Sequence, residues 1–100
     1  VDIINSNFMY ANFSNSNLKN LKVENSNLSN SNISEVKLKN VILNENNLRQ
    51  AQLFKTILNK IDFRTCDIEG ITVDIESLKG MIVNEFQAIN LAKLLGITIK

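Results

Sequence analysis

Every fifth residue from Ile3 to Leu78 is apolar: Ile3, Phe8, Phe13, Leu18, Val23, Leu28, Ile33, Leu38, Leu43, Leu48, Leu53, Leu58, Phe63, Ile68, Val73 and Leu78. A helix of about 3.6 residues per turn drifts off such a repeat, and a flat strand puts successive members on opposite faces. A chain that keeps all these residues in one core must turn a corner once per repeat, as stacked solenoids do.

The residue two before each apolar centre lies on the same side of an extended segment and must also point inward. It is small at Ser6, Ala11, Ser16, Ser26, Ser31, Ala51, Thr56 and Cys66, and larger at Val1, Leu21, Val36, Val41, Ile61 and Ile71. The residue between the two faces out and is Asp2, Asn7, Asn12, Asn17, Asn27, Asn32, Asn47, Asp62 or Asp67 in most repeats. Asx side chains bond nearby backbone and tolerate turn conformations, which suits a corner. The last two residues of each repeat face solvent, so an outward residue such as Asn30 is expected to accept alanine at little cost. Asn46 and Glu76 break the inward rule. Asn46 requires a buried partner, and Glu76 marks a loosening of the final coil.

The runs Ala-Asn-Phe-Ser-Asn at 11–15 and Ser-Asn-Leu-Ser-Asn at 26–30 resemble the pentapeptide-repeat family. The resemblance implies an all-β solenoid, a right-handed quadrilateral β-helix with one pentapeptide per side and twenty residues in each of about four coils, closed by a C-terminal α-helical cap. Coils then stack with a rise of ~4.8 Å, the spacing of paired strands. Taking every twentieth residue gives four ladders, Ile3/Val23/Leu43/Phe63, Phe8/Leu28/Leu48/Ile68, Phe13/Ile33/Leu53/Val73 and Leu18/Leu38/Leu58/Leu78. The absence of proline fits this stacking, because every backbone N–H is wanted by a neighbouring coil.

Residues 1–80 are read as the β-helix and 81–100 as a capping and dimerisation element. After Leu78 the period changes. Asn84 and Gln87 make a capping box, Val83 and Ala88 a staple, and Gly96 a C-terminal stop. Ala88, Leu91, Ala92 and Leu95 share one helical face, expected to lid the core. Gly96 to Lys100 alternates like a short strand. The apolar residues left over, Phe86, Ile89, Leu94, Ile97 and Ile99, are the predicted interface of a homodimer. The segment 78–100 is similar to the C-terminal helix and tail of bacterial pentapeptide proteins, and in their quinolone-resistance members a comparable element makes the homodimer. Val1 falls inside a repeat and is not Met, so further residues are expected upstream.

Composition argues against catalysis. The 100 residues contain no His, one Cys and three Gly, at 70, 80 and 96, so neither a metal-protease motif nor a glycine-rich phosphate cradle can be assembled. A rod filled by its own side chains has no pocket in which reacting groups converge. No catalytic, cofactor-binding or metal-binding residue is expected. Cys66 is read as a buried packing residue, and a lone cysteine fits a reducing cytoplasm. No apolar run is long enough to span a membrane.

Outward charges sort unevenly. The fourth face, centred on Leu18, Leu38, Leu58 and Leu78, carries Lys19, Lys37, Lys39, Lys60 and Lys79, with no acidic residue expected among them. This basic stripe could meet an acidic partner, but without aromatic stacking groups a nucleic-acid role is disfavoured, and a solvated face explains it more simply. Ile4, Met9 and Tyr10 are expected to be exposed at the start of the chain, and Phe54 and Ile75 on the third face. The resemblance implies a non-enzymatic interaction rod that binds DNA gyrase or topoisomerase IV as a DNA-mimicking dimer and protects it from quinolones. The net charge of +1 opposes mimicry. The alternative is a structural scaffold or adaptor with another protein partner.

Overall fold

The computed structural model describes residues 1–98. Three parallel strands, β1 (Asp2–Ile4), β2 (Asn17–Glu24) and β3 (Lys37–Asn44), form one sheet in the order β1-β2-β3, followed by helices α1 (Ile75–Leu78) and α2 (Glu85–Leu94). The described residues form a rod of 42 × 23 × 23 Å.

The register is twenty residues. Ile3 lies beside Val23 and Val23 beside Leu43, and Leu18 lies beside Leu38. Outside the sheet, single bridges keep the same step, as in Asn7–Asn27–Asn47–Asp67 and Asn12–Asn32–Gln52–Thr72. Each centre on these faces donates its N–H to a carbonyl of the following coil, as Phe8 does to Asn27, Leu48 to Asp67 and Phe63 to Ile82 at 2.7–2.9 Å. The inward assignment holds: Leu48, Leu53, Leu58 and Phe63 are buried, and so are Ser31, Val36, Ala51, Thr56 and Cys66 two residues before their centres.

The corners have two components. The Asx side chain folds the chain locally, with Oδ1 of Asn7, Asn12, Asn27, Asn32, Asn47, Asp62 and Asp67 accepting from the backbone N–H two residues on. The fifth residue then takes up a left-handed conformation, with φ of 48° to 64° at every fifth residue from Asn5 to Lys60 and 74° at Gly70. Single left-handed residues are tolerated best as Gly, Asn or Asp. Six of the twelve non-glycine residues in this row are Asn, at 5, 15, 20, 25, 30 and 40; the remainder are Tyr10, Glu35, Glu45, Gln50, Lys55 and Lys60.

 Asn30 is therefore not a free outward position, because its backbone conformation penalises alanine.

Asn46, the polar inward residue, is buried and satisfied on both sides. Its Oδ1 accepts from Ser26 N at 2.9 Å and its Nδ2 donates to Val23 O at 2.9 Å. Thr56 repeats the motif two corners later, where Oγ1 accepts from Val36 N and donates to Ile33 O. Glu76 lies in α1 and is exposed, so the final corner is a turn of helix in which Ser77 is the buried residue.

Between β3 and residues 57–64 the ladder lapses. Among the described residues no backbone hydrogen bond joins the two segments, and Asp62 bridges forward to Ile82 instead of back to Ile42. At the ends of this seam two threonine hydroxyls stand in for the backbone: Thr56 Oγ1 takes Val36 N at 3.2 Å, and Thr65 Oγ1 takes Glu45 N at 3.0 Å.

Candidate interaction surfaces

Helix α2 is hydrogen-bonded to the rod through its capping box, where Asn84 Nδ2 donates to Arg64 O at 3.1 Å and Gln87 reaches the coil end. Asn84 and Gln87 form the capping box, with Asn84 Oδ1 accepting from Gln87 N at 2.8 Å and Gln87 Oε1 accepting from Asn84 N at 3.0 Å. The buried Gln87 amide then donates to Phe63 O at 2.7 Å and Cys66 O at 2.8 Å. Gly96, at φ 80°, ends the helix: its N–H reaches Lys93 O, and Ile97 N–H reaches Ala92 O. This is the reciprocal pattern of a Schellman motif.

The face turned to the rod differs from the expected lid. Gln87 and Leu91 are buried and Ala92 is half-buried, whereas Ala88 and Leu95 are exposed. At the end of the β-helix Cys66 O takes a donor from the Gln87 amide, and Phe63 O takes a second one beside the Cys66 N–H; seating that amide turns the helix away from its most apolar face. Val83 and Ala88 line one shallow groove together with Leu78 and Ile97. Ile97 and Thr98 form no strand, and the rest of the alternating tail lies outside the described residues.

Of the predicted dimer residues, Phe86 is 75% exposed, Ile89 42%, Leu94 52% and Ile97 54%. Ile99 lies outside the described residues. Phe86 and Leu94 line a cleft of about 590 Å³ between α2 and the coil at Asp67 to Gly70. Ile4, Met9, Tyr10, Phe54 and Ile75 are exposed as expected. Ile42 and Ile57 are also exposed and were missed by sequence reasoning. The signal was present: each occupies the outward position that carries Asx in most repeats.

The five stripe lysines, Lys19, Lys37, Lys39, Lys60 and Lys79, are all exposed, and Lys19 lies directly beside Lys39 in the sheet. The face is not free of acid, however. Glu76, swung outward by α1, pairs with Lys79 at 3.2 Å. Elsewhere Lys22 pairs with Glu24, Arg64 with Asp62, and Arg49 with both Asp67 and Glu69. Hydrogen bonding to Lys22 lowers the pKa of Glu24, and hydrogen bonding to Arg64 lowers that of Asp62. Burial pushes the Cys66 thiol up, so it stays protonated as a packing group. No group of three or more His, Cys, Asp or Glu suited to a metal occurs among the described residues.

A family model described as pentapeptide repeats (8 copies) matches residues 6–44 and 31–70, more than half of the chain. The chain belongs to the pentapeptide-repeat family. Membership of the pentapeptide-repeat family implies a right-handed β-helix, the fold expected from the repeat. No curated protein matches the chain. Among solved pentapeptide-repeat structures, HetL from Nostoc sp. strain PCC 7120, a protein involved in heterocyst differentiation regulation, is 21% identical with a TM-score of 0.44. The match covers 84% of this chain and only 41% of HetL. Rfr23 from Cyanothece 51142 is 20% identical over 84% of this chain and 85% of its own, with a TM-score of 0.36. QnrB1, a plasmid-mediated fluoroquinolone resistance protein, is 17% identical over 97% of this chain and 68% of its own in a trypsin-treated form, with a TM-score of 0.34. Among the described residues no helix is long and apolar enough to cross a membrane.

Proposed function

We propose that this chain is a non-enzymatic, cytoplasmic protein-interaction rod that works as a homodimer joined through α2. In this reading the twenty-residue register runs through four coils, α2 caps the last of them, and residues 81–100 carry the dimer contact. The observation that carries it is the outward apolar face of α2, where Phe86, Ile89 and Leu94 stay exposed on a helix already anchored by Gln87. Burying such side chains is worth ~1.5 to 3 kcal/mol each, enough to matter for association. The buried, protonated Cys66 is compatible with a reducing compartment.

Engagement of gyrase or topoisomerase IV by DNA mimicry is the narrower reading, and the charge distribution opposes it. Duplex DNA carries one charge per ~1.7 Å of axis. Here Glu24, Asp62, Asp67, Glu69 and Glu76 are each paired with a Lys or Arg. A scaffold or adaptor role is therefore preferred. Light scattering tests the dimer: the unmodified protein should run as a dimer and Phe86→Asp/Leu94→Asp as a folded monomer. A monomer at high concentration for the unmodified protein overturns the proposal. A gyrase supercoiling assay, with and without a fluoroquinolone, tests the narrower reading; no appreciable inhibition or protection is expected, and inhibition lost on neutralising Glu24, Glu45 and Asp62 would restore mimicry.

A further inference from the structure

The face formed by residues 16–20, 36–40, 56–60 and 76–80 holds five lysines and one acid, Glu76, which is already paired with Lys79. The other four, Lys19, Lys37, Lys39 and Lys60, are exposed and form no ion pair among the described residues. Lys19 stands directly beside Lys39 in the sheet. Like charges opposite each other on neighbouring strands repel, so this row destabilises the free rod and a carboxylate laid over it relieves the repulsion.

In the outward column where the two preceding coils carry Asn17 and Lys37, the third carries Ile57. Its neighbours Thr56 and Leu58 are sealed, and alternation along the chain turns Ile57 outward, 59% exposed. The Thr56 hydroxyl accepts from Val36 N at 3.2 Å and keeps the two coils in register at this point. Beside Ile57 opens a surface groove of about 500 Å³, lined also by Val36, Leu38, Lys37 and Lys55, with Glu35 the one carboxylate at its rim. An isoleucine held in place by two sealed neighbours and ringed by unpaired lysines has the layout of a protein contact, with an apolar centre and a charged rim. A nucleic-acid backbone would satisfy the lysines but give Ile57 nothing to pack against.

We infer that this face docks an acidic protein segment carrying a bulky apolar residue, whose side chain packs on Ile57 in the groove while its flanking carboxylates lie over Lys19, Lys37, Lys39 and Lys60. Charge complementarity steers and orients the encounter, and the apolar contact holds it. The inference rests on the reading of the chain as an interaction rod and names the chemistry of its partner. It does not depend on the dimer, because Phe86, Ile89 and Leu94 belong to α2 and not to this face.

The probe is a fluorescein-labelled peptide, Glu-Asp-Glu-Leu-Phe-Glu-Asp-Glu, added to the full chain and followed by fluorescence anisotropy. Saturable binding is expected, and it should weaken about tenfold or more for Ile57→Ser and for Lys37→Glu/Lys39→Glu. The same loss is expected for a peptide with Ser-Ser in place of Leu-Phe, which keeps the charge and needs no change in the protein. Thermal melts should show both variants folded, since all three side chains are exposed. Phe86→Asp/Leu94→Asp should bind the peptide as the parent does, which separates this surface from the dimer contact; loss of binding there would overturn the assignment to this face. The idea is also overturned by absence of binding at millimolar peptide, by equal binding of Ile57→Ser or of the Ser-Ser peptide, or by a labelled DNA duplex that binds more tightly than the peptide.

Discussion

The Asn46 side chain holds Val23 across two coils: its Nδ2 donates to Val23 O at 2.9 Å while its Oδ1 accepts from Ser26 N at the same distance. A polar residue at an inward position thereby completes the backbone accounting of the corner. Asn46→Leu leaves a buried donor and a buried acceptor without partners, each worth ~1 to 3 kcal/mol. Chemical denaturation should show a loss of that order. Asn46→Ser should lose less, because Ser26 performs the acceptor half of this role for Ser6 N.

Centres and corners should respond to different substitutions. Leu48→Ala removes a fully sealed side chain and should cost ~2 to 5 kcal/mol. Asn30→Ala should cost ~1 kcal/mol, because Asn30 sits at φ 57°, while Asn30→Gly should be close to neutral. Urea midpoints for the three variants give the comparison, and equal losses for Leu48→Ala and Asn30→Gly would contradict the assigned frame.

Gln87 should matter more than its place on a surface helix suggests. Gln87→Ala removes the capping-box acceptor and both donors to Phe63 O and Cys66 O. Amide exchange across 85–94 should rise sharply while that of Leu48 stays slow, because neighbouring solenoid units respond locally. Glu85→Ala, at an exposed position of the first helical turn, should leave both unchanged within error.

Acid should weaken the last corner. Hydrogen bonding to Ser77, then to the Lys55 N–H at 3.0 Å, holds the Asp74 carboxyl below its ordinary value of 3.8. A carboxylate whose folded pKa is depressed contributes stability in full above the unfolded pKa and loses it as pH falls through the folded one. Melting temperature should therefore drop below about pH 4 for the parent protein. The drop should be smaller for Asp74→Asn, which at pH 7 starts from a lower value.

The five-residue period alone determined the solenoid, the inward pairs and the twenty-residue ladders, because only a chain that turns at every repeat keeps those side chains in one core. The Asx corners were equally legible, since an Asn or Asp side chain reaches its own backbone two residues on whatever the surroundings. The capping box at Asn84 and Gln87 and the stop at Gly96 were local for the same reason. Tertiary structure decided the rest. It turned Gln87 inward, where its amide donates to Phe63 O and Cys66 O at the end of the β-helix. It exposed Glu76 on a turn of helix beside Lys79. It also left β3 unpaired above residues 57–64, a property of how two coils meet that no single repeat contains.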